Sequence, residues 1–260
     1  MPEAAGQCPA CLRGIRAGTR FCPGCGQTLG AAPAAAPPGG GARSAAAARF
    51  AEHWGELKGV LWLFGLLLAT SFVAGLVSRT DSSPWPSVVV TAVDAAIVLV
   101  AAGLRRRRLV FLFKVHAIGA RRALELAVAS LLFLVAMSGY FAVLKNLGVP
   151  FSSATESFAR AGWPAWTMIV TISVLPALFE ELAFRGVIQS SLERIFNARD
   201  AWLIQAALFS VLHLSPLVFP SHFLMGLWFG HLRMRSRSIY PGMLVHGAWN
   251  AFVVLEELAG

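Results

Sequence analysis

The chain has 260 residues, of which 57% are hydrophobic and only 13% charged, where soluble domains carry about 25% charged residues; an ordinary water-soluble globule is excluded. Its net charge of +9 would point to nucleic acid in a soluble protein, but the arginines sit between apolar runs, notably at Arg105 to Arg108. There they set topology and meet anionic headgroups, and with no basic patch interleaved with an aromatic platform a nucleic-acid partner is excluded.

All four cysteines fall in the first 25 residues, as Cys8-x2-Cys11 and Cys22-x2-Cys25. Each pair is a knuckle that can place two thiolates on one ion, and two knuckles complete a tetrahedral shell. Residues 1–27 therefore read as a zinc ribbon whose four sulfurs leave no open position, so its zinc is structural. Two disulfides would need an oxidising compartment, while Arg13, Arg16 and Arg20 favour the cytoplasmic side. The ribbon is also a candidate dock for a soluble partner. A signal peptide is not expected here, because the first apolar segment begins near residue 59. Residues 28–58 read as an Ala/Pro/Gly linker, flexible over 28–48, followed by a pre-membrane segment. His53 there is a surface residue.

From Gly59 the pattern is that of a transmembrane domain reaching residue 258. The expected spans are Gly59 to Val77, Ser87 to Leu104, Ala123 to Leu144, Trp163 to at least Phe179, Ala201 to Leu214, Leu217 to Leu232 and Ile239 to Leu255. The short fifth span and the mixed stretch 109–122 leave room for an eighth. Arginines at 105–108, 121–122, 194–199 and 233–237 all fall on one side of this arrangement, which places the N-terminus and the ribbon in the cytoplasm and the C-terminus outside. His116 and His231 read as headgroup contacts, and Asp94, within the second span, has no accompanying polar motif.

The polar groups of the C-terminal half carry the chemistry. Phe179-Glu-Glu-Leu-Ala-Phe-Arg-Gly186 ends a run without charge, and ionisable groups at membrane depth are functional candidates by default. On a helix Glu181 and Arg185 are four apart and pair, while Glu180 points about 100° away and is left for another task. Pro176, four residues before Glu180, leaves a carbonyl unpaired and bends the helix. Phe209 lies one turn before His213, and His246 one turn before Asn250. A carboxylate beside histidines can deprotonate water, and Asn250 and His246 can donate to an oxyanion. Taken singly, each histidine and Asn250 would be interhelical glue; their coincidence with a double acid in one half of the chain favours a site. His222 lacks a nearby polar partner and reads as spare. Glu180 with two histidines would also make a zinc site.

Glu180-Glu181-x3-Arg185, Phe209-x3-His213 and His246-x3-Asn250, in this order, resemble the successive motifs of the CPBP intramembrane proteases, which include CAAX prenyl endopeptidases, bacteriocin-processing proteins and Abi proteins. The resemblance covers about residues 120–255. It implies an all-α polytopic bundle of about seven to eight transmembrane helices, CAAX-protease-like and preceded by the ribbon. It also implies an endopeptidase in which Glu180 activates water, His213, His246 and Asn250 complete the site, and Glu181 and Arg185 support it. The family, historically classed with metalloproteases, resembles a glutamate-dependent class, so a catalytic zinc is not favoured though the residues would admit one. The implied substrate is a membrane-associated peptide or protein, and the implied location a bacterial plasma membrane. The alternative is a non-catalytic scaffold or bacteriocin-immunity-type protein of the same fold.

Overall fold

The computed structural model of the chain describes residues 6–8, 10, 14–15, 22, 25, 27, 29, 42–116, 118–151 and 153–259, with the backbone alone for residues 42–50 and 52. Near the N-terminus, strand β1 (Gly6–Gln7) pairs antiparallel with β2 (Gly14–Ile15), Gly6 opposite Ile15. Among the described residues, everything from Ala42 on is helical or connects helices.

Helix α1 (Ala42–Val77) runs 36 residues without a break, about 54 Å at 1.5 Å per residue, and so exceeds the apolar thickness of about 30 Å. It begins at Ala42, inside the stretch read as a tether; the tether at 30–41 lies outside the described residues. A proline-led turn starts α2 (Trp85–Leu104), which the arginines end through a short α3 (Arg106–Leu109) and a 3-10 turn, Val110–Phe113. Helix α4 (Ala120–Asn146) follows, and the loop after it holds α5 (Glu156–Arg160).

The next helical stretch is compound. It comprises α6 (Ala165–Met168), a π-helical segment Ile169–Val174, α7 (Leu175–Glu181), a second π segment Leu182–Ile188, and α8 (Gln189–Ile195). Three further helices close the chain: α9 (Ala198–Leu212), capped by the Asn197 side chain on the Asp200 amide, α10 (Phe219–Ser236) and α11 (Tyr240–Ala259).

Four helices among the described residues are long and apolar enough to cross a membrane: His53–Val77, Trp85–Leu104, Ala120–Asn146 and Ala165–Ile195. This corrects the count of seven to eight expected from the sequence. Helix α9 has 15 residues and reaches about 22 Å, short of the apolar thickness. Helices α10 and α11 are long enough but interrupted by His222, His231 and Arg233, and by His246, Asn250 and Glu256. The parity argument that put the C-terminus outside falls with the count.

The first three candidate spans present apolar side chains outward, among them Trp62, Phe72, Val100, Leu104 and Leu131, a face that lipid rather than water can cover. The Ala165–Ile195 stretch is the inner one. Around it, Leu63 and Leu67 of α1, Val98 and Ala102 of α2, Phe209 of α9 and Phe229 of α10 join Phe184, Val187 and Ile188 in one core. Helices α9 and α10 approach closely at Gly226, where a Cβ would come 2.8 Å from Ala206 Cα.

Polar clamps hold both ends. At one, Glu56 of α1 pairs with Arg108, with Arg194 at 3.3 Å and with Ser191 Oγ at 3.1 Å, while Glu193 of α8 pairs with Arg233 of α10. At the other, Glu257 of α11 accepts from Ser153 Oγ (2.7 Å), Thr155 Oγ1 (2.8 Å) and the Thr155 amide (3.0 Å). These bonds outweigh the burial that would raise the Glu257 carboxyl and hold it below the ordinary carboxylate range.

Candidate active site

Helix α7 presents two acids to different neighbours. Glu181, wholly buried, accepts at Oε1 from Arg185 Nη1 (2.7 Å) and from His246 Nδ1 (3.1 Å). Arg185 is equally buried; its Nη2 donates to the Gly226 carbonyl (3.3 Å), which also receives Gln205 Nε2 (2.8 Å). The guanidinium lies 4.4 Å from the Phe209 ring centroid and 5.1 Å from that of Phe229, so aromatic faces replace part of its lost hydration. Glu180 points elsewhere. Its Oε2 is buried without a hydrogen-bond partner among the described residues and faces His246 Nε2 at 3.9 Å, beyond hydrogen-bond length.

Pro176 explains how α11 is held against this helix. With no N–H it cannot return a bond to the Ile172 carbonyl four residues earlier, and Asn250 Nδ2 donates to that oxygen from α11 (3.2 Å). One turn away, Ser173 Oγ donates to the Gly247 carbonyl (2.8 Å). The wide turn Ile169–Val174 and the proline thus give α11 two polar holds, at Gly247 and Asn250, in the turn that follows His246.

Phe209 is the hub of the aromatic packing. Its ring centroid lies 5.1 Å from His213, 5.8 Å from His246 and 6.3 Å from His222. His213 and His222 face each other at 3.8 Å, and each uses Nδ1 on a carbonyl four residues back, Phe209 at 2.9 Å and Val218 at 3.0 Å. A carbonyl only accepts, so Nδ1 carries the proton in both rings and Nε2 is left as an acceptor. Burial first, then the proximity of His222, pushes His213 well below the usual imidazole range; burial takes His222 down to about 4.

The structure therefore draws Glu180, Glu181, Arg185, His246 and His213 around one aromatic centre and puts Asn250 on the same face of α11 as His246. It adds His222, which the sequence left as spare. The two histidines lie on opposite sides of the Ser215–Pro216 turn, His213 at the end of α9 and His222 in the first turn of α10. Asp94, read as isolated, accepts from Thr70 Oγ1 of α1 at 2.5 Å.

Two metal sets can be compared with the donors present. Cys8, Cys22 and Cys25 place their sulfurs within 4.8 Å of one another, with Cys8 and Cys25 at 3.6 Å; thiolates about 2.3 Å from one zinc stand about 3.8 Å apart around a tetrahedron. The trio fits a metal ion, and beside it the Cys22 amide donates to the Gln27 carbonyl (2.7 Å). Cys11 lies outside the described residues. Glu180, His213 and His246 do not form a comparable three-ligand group: among the described residues the cysteines are the set so gathered.

An all-helical membrane protein whose inner helix buries an acid pair, an arginine and facing histidines is the class this fold and site define. Comparison with known proteins bears on that part of the chain: residues 162–252 match the family model described as type II CAAX prenyl endopeptidase Rce1-like, a shorter stretch than the 120–255 expected. The chain is 30% identical over 91 residues to a protein of Bacillus subtilis (strain 168) named putative membrane peptidase YdiL. That alignment takes in 35% of this chain and 37% of the relative, so the chain matches little more than a third of the relative's length. No solved structure matches the chain.

Proposed function

We propose that the protein is a membrane peptidase that hydrolyses peptide bonds of membrane-associated peptides or proteins by glutamate-activated water. The observation carrying this reading is the buried Glu180 Oε2, without a hydrogen-bond partner among the described residues and facing His246 Nε2 at 3.9 Å, inside the segment that matches a peptidase family. His246 donates through Nδ1 to Glu181, so its Nε2 is an acceptor in the neutral ring. A water between the two groups donates one hydrogen to Glu180 and the other to His246, which turns its lone pair toward the scissile carbonyl. Glu180 takes the proton as the oxygen bonds to the carbonyl carbon, and returns it to the amine nitrogen as the C–N bond breaks.

Asn250 has a second amide hydrogen besides the one on Ile172 and is the donor assigned to the oxyanion. His213, held neutral, lines the same aromatic centre with Nε2 available to the substrate. Glu181 and Arg185 support the site. The side chains Glu180, His246 and Asn250 carry these steps, and the zinc we assign to the cysteine shell is structural. The similarity to a bacterial membrane peptidase supports a bacterial plasma membrane, with the ribbon on the cytoplasmic, arginine-rich side.

The test is Glu180→Gln, which keeps size and removes the base. Mass spectrometry of membrane peptides from matched cells should show products that vanish in the variant, which itself accumulates as folded protein. Equal cleavage of such a peptide by purified wild type and Glu180→Gln in detergent would sink the assignment and favour a scaffold of the same fold.

A further inference from the structure

Glu181 is the carboxylate on which the placement of His246 depends. Its Oε1 holds both Arg185 and His246, while Oε2 is buried with no hydrogen-bond partner among the described residues. Against Oε2 lies backbone: Gly242, four residues before His246 on α11. A Cβ at residue 242 would come 2.6 Å from Glu181 Oε2 and 3.3 Å from its Cδ, with Phe229 Cβ at 3.8 Å behind it. Carbon does not approach a carboxylate oxygen that closely, so a side chain at 242 and the present position of Glu181 exclude each other.

We infer that Gly242 is a positioning residue of the candidate site: the space left by its missing side chain seats the Glu181 carboxylate, and that carboxylate sets the ring of His246 relative to Glu180. The functional weight of this inference rests on the peptidase reading, whereas the placement of His246 does not.

The surroundings leave the carboxylate little choice. Arg185 cannot follow a displaced Glu181, because its guanidinium is enclosed by Phe209 and Phe229 and bonded to the Gly226 carbonyl. If α11 retreats instead, it carries His246 away and pulls on the Asn250–Ile172 and Ser173–Gly247 bonds. Either response lengthens the bond from His246 Nδ1 to Glu181. An added methyl at 242 therefore acts on the far nitrogen of His246, the one facing Glu180, and misplacement of a catalytic group by about 1 Å costs on the order of 100-fold in rate. Ordinary helix packing would also favour glycine here, and the two explanations part over Glu181: shortening that side chain relieves a clash with a carboxylate but leaves plain helix crowding unchanged.

The full-length protein, purified in detergent with ring-15N-labelled histidine, tests this by NMR. The His246 signals are assigned by their loss in His246→Gln. Gly242→Ala is expected to shift the His246 Nδ1 resonance and leave those of His213 and His222 in place, and to cut the Glu180-dependent membrane peptides at least tenfold. Gly230→Ala, where the new Cβ meets the Trp202 and Gln205 side chains at 2.7 and 2.6 Å, is the packing control and should leave the His246 signal and the peptides unchanged. Adding Glu181→Asp to Gly242→Ala should raise the peptide yield above that of Gly242→Ala alone, although Glu181→Asp lowers it in the wild-type background. An unmoved His246 resonance in Gly242→Ala, or simple addition of the two losses, overturns the inference. Should Gly242→Ala not accumulate as folded protein, Glu181→Asp alone must shift the His246 Nδ1 signal, and a fixed signal overturns it. If even the wild type yields no Glu180-dependent peptides, the peptidase reading fails while the resonance shift still decides the positioning.

Discussion

Replacing Arg185 with Met probes the most exposed weakness of the site, a charge pair wholly enclosed in apolar surroundings. The guanidinium lies 2.7 Å from Glu181 and over two phenylalanine faces, with no exposed atom on either partner. Removing it leaves the Glu181 carboxylate buried with His246 as its remaining donor, a situation that costs about 3–5 kcal/mol. Methionine refills most of the aliphatic volume, so cavity formation adds little. At about 2–4 °C per kcal/mol for a domain of this size, the midpoint of thermal unfolding should fall by about 6–20 °C. Tryptophan fluorescence of the purified protein in detergent follows the transition. Pairing Arg185→Met with Glu181→Leu removes the orphaned charge as well, and this double variant should be more stable than Arg185→Met alone. A fall below about 2 °C for the single variant, or a double variant less stable than the single, would refute the picture of a buried pair that must be kept or lost together.

Other outcomes follow from neighbouring contacts. Gly226→Ala forces a Cβ to within 2.8–3.1 Å of Ala206 and should cost about 1–3 kcal/mol in the same melt, with Ala206→Gly restoring part of the loss. His222, pushed from 6.5 to about 4 by burial, contributes stability that is present above pH 6.5 and lost as pH falls through 4, because the unfolded chain takes up the proton first; melts between pH 7 and 4 should show this slope, and His222→Gln should flatten it. Metal analysis should find zinc bound to the full chain and released in Cys8→Ser, while Glu180-dependent cleavage survives its removal.

How far the sequence could be read depended on whether the partners were near in the chain. Glu181 with Arg185, and Phe209 with His213, are each one helical turn apart and were visible as spacing. The bond between Glu181 and His246 joins positions 65 residues apart, and nothing in either local pattern announces it. Likewise the partner of Asp94 is Thr70, 24 residues upstream on another helix, so the acid looked isolated. Pro176 predicts an unpaired carbonyl, but not that Asn250 crosses from α11 to meet it; the helix-joining task weighed for Asn250 on its own thereby stands beside the catalytic one. The span count failed for a different reason. His222, His231, His246 and Asn250 break the apolar runs of α10 and α11, and those residues belong to helices that gather round the inner one. Composition alone reports that a run is greasy, whereas a crossing needs length and continuous apolarity together.

The two π segments of the inner helix have a consequence for any change in its length. A π turn winds one residue more into each loop of hydrogen bonding than an α turn, so each takes up one residue without turning the helix before it against the helix after it. Deleting one residue from Ile169–Val174 would let that stretch relax to ordinary α geometry and leave Ala165–Met168 at nearly its present angle to Leu175–Glu181, whereas the same deletion in an α stretch would rotate the two by about 100°. A deletion within Leu182–Ile188 would likewise keep α8 in phase with α7, with Glu193 toward Arg233 and Ser191 toward Glu56. The inner helix thus carries slack at two places, and a single residue lost from either is absorbed there instead of being passed along the helix.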